Sequence, residues 1–177
     1  MSNKKKLLAI SGSTREKSSN LLIIQAIAKL MPEDAELEQS NGIDTLPHFN
    51  PDIDYDNPPQ AVTDFRDQIQ LADAILICTP EYAMGAPGSL KNALDWLVSS
   101  SSFSKKPVAL ITASLSGHKA HASLLETLKM IDSDIDESTS LLISFIKTKV
   151  NEQAVITDAE ALAAVKSVLA QLFTKIK

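Results

Sequence analysis

The sequence predicts an α/β fold, a five-stranded parallel sheet in a three-layer sandwich with helices on both faces. Three observations carry that prediction. Short apolar runs alternate along the chain with longer segments whose apolar residues recur at helical spacing. The runs LLAI (7–10) and AILIC (74–78) are apolar throughout, as strands buried on both faces of a parallel sheet must be. Parallel neighbours need crossover connections, and the alternating segments supply them. With 177 residues, 44% of them hydrophobic, the chain is expected to form a single domain over 1–177 with one core.

Leu7–Ile10 reads as the first strand and Asn20–Met31 as the first helix, stopped by Pro32. Ala35–Ser40 alternates weakly and reads as a second strand. A polar, proline-dotted loop follows from Asn41 to Pro59. Val62, Phe65 and Ile69 give Gln60–Leu71 a helical stripe, and Ala74–Cys78 is the clearest strand. Ser89–Val98 is a helix with Leu90, Ala93, Leu94 and Leu97 on one side, Ser89 serving as its expected cap. Val108–Thr112 is a strand, and Lys119–Ile131 a helix whose inner face carries Leu124, Leu125, Leu128 and Ile131. Ser140–Phe145 closes the sheet. Asp158–Lys175 is the last helix, capped by Thr157 or Asp158, with Leu162, Val165, Leu169, Leu172 and Ile176 as its stripe.

Composition excludes several classes of function. A net charge of −5 with mixed signs offers no basic patch for nucleic acid. No apolar run reaches membrane-spanning length, and Lys4, Lys5 and Lys6 precede only LLAI, too short for a signal-peptide core. One cysteine, Cys78, permits neither an internal disulfide nor a Cys-rich metal site. A cytoplasmic setting is expected. No metal site is predicted: His118 and His121 stand one helical turn apart without a third ligand. Asp52, Asp54 and Asp56 open like a calcium loop, but Asn57 and Thr63 occupy the positions that need Gly and Glu.

In open parallel sheets ligands sit beyond the carboxyl ends of the strands, where the strand order reverses. That directs attention to the loops after strands one, three and four. The first, SGSTREKSSN, is rich in hydroxyl groups and holds Arg15, whose planar fork suits phosphate. Ser19 or Asn20 is expected to cap the following helix, whose first N–H groups face the loop. The loop lacks the glycine-lysine-hydroxyl sequence of a Walker motif and the three glycines of a dinucleotide fingerprint. A mononucleotide phosphate fits it better. In the second loop, TPEYAMGAPGS, Pro80 and Pro87 stiffen the backbone, and Gly85 and Gly88 are expected to take unusual φ values. Such a stiff loop, rich in exposed main chain, suits a flat heterocycle.

The stretch from Leu46 to Trp96, with its block PGSLKNALDW, resembles the signature region of the NADPH-dependent FMN reductase family, which includes chromate- and quinone-reducing flavoproteins and related azoreductases. The loop Gly12–Asn20 is similar to that family's phosphate loop, and the likeness covers about the first two-thirds of the chain. The resemblance implies a flavodoxin-like sheet of order 2-1-3-4-5. It implies FMN as cofactor, with NAD(P)H as a transient co-substrate. A hydride would pass to FMN, and electrons would then pass to a small-molecule acceptor such as a quinone, azo compound or free flavin. It also implies a homodimer or homotetramer.

Carried over by position, Ser13, Arg15, Ser18, Ser19 and Asn20 would hold the phosphate. Pro80, Glu81, Tyr82, Ala83, Met84 and Gly85 would line the ring and ribityl chain. The third loop departs from the family's glycine-rich pattern, so Ser114, Ser116, Gly117 and His118 are candidates by location. Ala83 stands where the family often has Asn. No acid–base catalytic residue is required. The alternative reading is an electron carrier or a non-catalytic FMN sensor. Arg15 and the modest charge argue against a carrier, whereas the altered third loop keeps the sensor reading open. Glu81 is expected to make a structural hydrogen bond, Cys78 to be a buried hydrophobe, and Trp96 to pack.

Overall fold

The computed structural model describes residues 4–40 and 42–176, so Asn41 of the long polar loop lies outside the described residues. Five parallel strands, β1 (Lys5–Ser11), β2 (Ala35–Gln39), β3 (Ala74–Thr79), β4 (Val108–Ala113) and β5 (Ser140–Ile143), lie in the order β2-β1-β3-β4-β5. The helices are α1 (Ser19–Ala28), α2 (Gln60–Leu71), α3 (Gly88–Asp95), α4 (His118–Met130) and α5 (Ala159–Lys175). This is the flavodoxin-like arrangement that the sequence predicts. No helix among the described residues is long and apolar enough to cross a membrane.

The continuous apolar runs are explained by two cores. Leu8, Ile10, Ile75, Ile77 and Leu110 pack with α2, α3 and α4. Leu7, Ala9, Leu76, Cys78, Ala109 and Ile111 alternate with them and pack with α1 and α5. Every residue of β3 and β4 is buried, so neither face tolerates a polar side chain without a partner. Burial in this layer pushes the Cys78 thiol pKa up, which keeps it protonated and inert.

Several local expectations are corrected. Ser18, not Ser19 or Asn20, caps α1, its hydroxyl accepting from the Asn20 N–H. Helix α3 starts at Gly88 behind Pro87 and has no side-chain cap at Ser89. Strand β5 ends at Ile143; the chain then turns, and Phe145 takes a left-handed conformation (φ 55°, ψ 38°). Asp158 caps α5 through the Ala161 N–H, as one of the two candidates predicted.

Trp96 and Asn92 of the signature block pin the long loop after β2. The Trp96 Nε1–H and the Asn92 Nδ2–H donate to the Pro47 carbonyl at 2.8 and 2.9 Å. The Phe49 N–H donates to Asn92 Oδ1 at 2.7 Å, and the Phe49 ring meets Trp96 edge-on at 5.0 Å. Trp96 is fully buried in its own chain, so it packs as expected. Asp54, from the rejected calcium loop, is buried and paired with Arg66.

Candidate active site

The loops after β1, β3, β4 and β5 converge on a cleft of about 270 Å³. Arg15, Ser18, Ser19 and Asn20 form one side, at the start of α1; Pro80, Glu81, Tyr82 and Ser114 form the floor and the opposite side. These eight residues were singled out by sequence. Ser13 is buried beside them and lines a smaller adjoining hollow of about 180 Å³. Ala83, Met84 and Gly85 form a turn next to Tyr82 outside the cleft lining, and Ser116, Gly117 and His118, which follow Leu115 in sequence, are outside it too.

The first loop is wired to itself and to the sheet. Ser11 Oγ donates to the Ser13 carbonyl at 2.9 Å, and the Arg15 N–H donates to Ser13 Oγ at 3.4 Å. The Arg15 side chain is exposed and, among the described residues, makes no ion pair. Asn20 is 2% exposed; its Nδ2–H donates to the Ala113 carbonyl at 3.1 Å, which ties α1 to the end of β4. That bond leaves Oδ1 as a buried acceptor with no protein partner, the one such side-chain atom among the described residues. A buried acceptor left alone is costly, so a ligand hydroxyl or water reaching it is favoured.

The second loop is a tight two-residue turn. Tyr82 and Gly85 exchange backbone hydrogen bonds at 2.9 Å each. The left-handed positions fall on Ala83 (φ 49°) and Met84 (φ 62°), not on Gly85 and Gly88 as expected, because the central pair of such a turn needs φ > 0. Each non-glycine residue held there costs about 1–2 kcal/mol. The Asn common at the first position in the resembled family eases that conformation, and Ala83 does not.

Glu81 has a role that its position in sequence does not disclose. Its Oε2 accepts from the N–H groups of Lys119 and Ala120 at 2.8 and 2.9 Å, and Oε1 accepts from Gly117 at 3.2 Å. It therefore caps α4 from another loop, in place of Gly117, which has no side chain to do so. The bond from Ala120, followed by those from Gly117 and Lys119 and the charge of His118, holds its carboxyl below the usual range against a smaller burial effect. The Glu81 N–H donates in turn to Ser114 Oγ at 3.2 Å. Glu81 thus locks the second and third loops together as an anion. His118 is exposed, while His121 pairs with Thr112 Oγ1 at 2.9 Å and has its pKa lowered, first by burial and then by His118.

Sequence reasoning missed Leu115, Phe145, Ile146, Lys147 and Thr148, which complete the cleft. All but Leu115 follow β5, whose apolar residues read as a strand continuing through Phe145. The lysines of KTK (147–149), directly after the apolar run, were the available signal.

The chain's likeness to known proteins agrees with this geometry. Residues 5–134 match the family model described as NADPH-dependent FMN reductase. The chain is 35% identical over 166 residues to an NAD(P)H-dependent FMN reductase of Pseudomonas aeruginosa, covering 91% of this chain and 89% of that protein. It is 30% identical over 159 residues to a quinone reductase of Escherichia coli, covering 86% and 85%. In structure it superimposes on FerB, a flavoenzyme NAD(P)H:(acceptor) oxidoreductase from Paracoccus denitrificans, with a TM-score of 0.80 and 27% identity over 97% of this chain and 95% of that one. With its sheet order, its cleft beyond the strand ends and these likenesses in agreement, the chain belongs to the NADPH-dependent FMN reductase family.

Proposed function

We propose that this chain is an FMN-dependent NAD(P)H oxidoreductase that delivers electrons to small acceptors of the quinone or flavin type. The observation that carries the reading is the start of α1, which opens on the cleft between exposed Arg15 and the unpartnered Oδ1 of buried Asn20. The residues fit FMN. Arg15, Ser18 and Ser19 would hold its phosphate with the first N–H groups of α1. Asn20 Oδ1 would accept from a ribityl hydroxyl, a different role from the phosphate contact expected. Pro80, Glu81 and Tyr82, with Ser114 and Leu115, would border the ring. The chemistry FMN supplies when bound is two-electron transfer, from NAD(P)H to the acceptor.

The protein's own part is position and field. Glu81 fixes the loops of the ring site to one another, and the Tyr82–Gly85 turn holds its backbone against strain. Arg15 counters the phosphate charge on a chain that is acidic overall. None of the cleft side chains is needed to move a proton, since Glu81 is tied by three N–H groups. The same reading includes a homodimer or homotetramer, supported by exposed Phe49, Ile53 and Tyr55 on the segment after β2. It also includes a cytoplasmic setting, where NAD(P)H is supplied.

The test is an anaerobic visible spectrum of the purified protein with FMN, before and after NADPH. Bound flavin that bleaches in step with NADPH loss is the expected result. Bound flavin that stays yellow yet reduces with dithionite would favour a carrier or sensor, and absence of binding would overturn the reading.

A further inference from the structure

Three exposed apolar side chains line the cleft: Tyr82, Leu115 and Phe145, at 46%, 74% and 62% exposure. Phe145 is the least expected of them. Its backbone is left-handed, a conformation that a bulky residue rarely adopts, and its ring gains little from burial. The strain is maintained by neighbours. The Phe145 N–H donates to the Leu115 carbonyl at 3.2 Å and the Ile146 N–H to the Ser114 carbonyl at 3.1 Å. The Phe145 carbonyl accepts from the Thr148 N–H at 3.0 Å and from its hydroxyl at 2.9 Å. Phe145 is the one left-handed non-glycine residue in the cleft lining among the described residues, and a strained residue held in place in a cleft wall motivates a functional reading.

The electrostatics of the wall point the same way. Lys147 follows Phe145 on the same turn, is exposed, and among the described residues makes no ion pair. With Arg15 given to the FMN phosphate and the Glu81 oxygens already accepting three backbone N–H groups, Lys147 is the cation of the cleft lining left for a visitor. On a chain of net charge −5, Lys147 beside Phe145 makes this wall locally basic and apolar. Strand β5 is the edge strand, so its turn reaches the cleft from the side, beyond the loops that anchor the resident group.

We propose that Phe145 and Lys147 are positioning and specificity residues for the visiting ligand. The ligand is a planar ring carrying a negative charge, its ring stacked on Phe145 and its anionic group on Lys147. The inference rests on the FMN reductase reading and adds the side from which reactants are selected. Two visitors share this chemistry, a reduced pyridine nucleotide with its pyrophosphate and a quinone bearing an acidic group.

The experiment uses FMN-loaded wild type, Phe145→Ala, Lys147→Gln and Lys147→Arg. Binding of 2-naphthalenesulfonate, a redox-inert planar anion, is read from the perturbed flavin absorbance across a salt series. Lys147→Gln is expected to weaken it about three- to fivefold and flatten its salt dependence, and Lys147→Arg to restore both. Phe145→Ala is expected to weaken it about five- to tenfold. Steady-state KM values for NADPH and for anthraquinone-2-sulfonate then separate the sources. A rise in one identifies that visitor, and a rise in both means the wall serves each in turn.

Unchanged binding in all variants would overturn the proposal. So would an altered FMN Kd in Lys147→Gln, measured by flavin fluorescence, which would assign the lysine to the resident group. A lower sedimentation coefficient for Phe145→Ala would assign the ring to a subunit contact, with the same consequence. Failure of the wild type to bind FMN would show first, before any variant, and would overturn the underlying reading along with the wall.

Discussion

Two helices begin at the rim of this cleft, and their N-termini are treated in opposite ways. Helix α4 starts at Gly117, in a left-handed conformation with no side-chain cap, and Glu81 from another loop supplies an anion to three of its first N–H groups. Helix α1 receives only the neutral Ser18 hydroxyl and has Arg15 close by. A helix N-terminus attracts one anion well. At α4 the protein provides it; at α1 the place is left to a ligand. Under the proposed function the phosphate end of the site falls at α1, while the start of α4 is capped from within the chain. On the same proposal, a carboxylate already bonded to three N–H groups can border an anionic cofactor.

The largest expected effect breaks the α4 side. In Gly117→Ala the new methyl would lie 2.6 Å from Leu142 Cδ1, on a backbone at φ 94°. Strain and overpacking together should cost about 2–4 kcal/mol, seen as a lower urea midpoint. Next, Arg15→Ala should weaken FMN binding by about 1–3 kcal/mol while leaving the urea midpoint nearly unchanged. Stability lost with FMN affinity intact would reverse the assignment.

Glu81→Gln should do the opposite of Arg15→Ala, lowering stability by about 1 kcal/mol, the scale of a lost helix cap. Its pH dependence gives a signature. The folded-state pKa of Glu81 is depressed, so its contribution is present above the ordinary glutamate pKa and is lost as pH falls through the lower folded value. The gap between wild type and Glu81→Gln should therefore begin to shrink as pH falls below the ordinary glutamate pKa and close only below the depressed folded one, and a constant gap down to strongly acidic pH would contradict the cap. The smallest effect is expected of Ala83→Gly, which relieves the left-handed strain at φ 49° and should raise stability by about 0.5 kcal/mol, net of the added chain entropy. A loss on thermal melting would mean that the methyl packs usefully.

The contrast between these helices also divides what the sequence discloses from what it conceals. The inner strands β1, β3 and β4 were legible because doubly buried strands run apolar nearly throughout, as Ala74–Cys78 does. The α1 side was legible too, since SGSTREKSSN carries its hydroxyls and arginine in one contiguous stretch. Even there the cap was not, because Ser18, Ser19 and Asn20 are all competent and only the chain's path selects Ser18. The α4 side was concealed because Glu81 and Ala120 meet across 39 residues of sequence. Local pattern assigns Glu81 to its own loop. The turn after β5 was concealed for a different reason: ISFIKT has the apolar character of a strand, and nothing local marks Phe145 for a left-handed backbone. The left-handed pair at Ala83 and Met84 is concealed likewise, since Gly85 and Gly88 nearby accept such a backbone more readily.

The central claim is that α1, and not α4, receives the phosphate. Its most direct test compares the Kd of FMN with that of riboflavin, by flavin fluorescence, in wild type, Arg15→Ala and Glu81→Gln. A phosphate held by charge-assisted hydrogen bonds should make FMN bind about 10- to 150-fold tighter than riboflavin in wild type. This ratio should fall steeply in Arg15→Ala and persist in Glu81→Gln. Equal affinities in wild type, or a ratio that depends on Glu81 and not on Arg15, would contradict the claim.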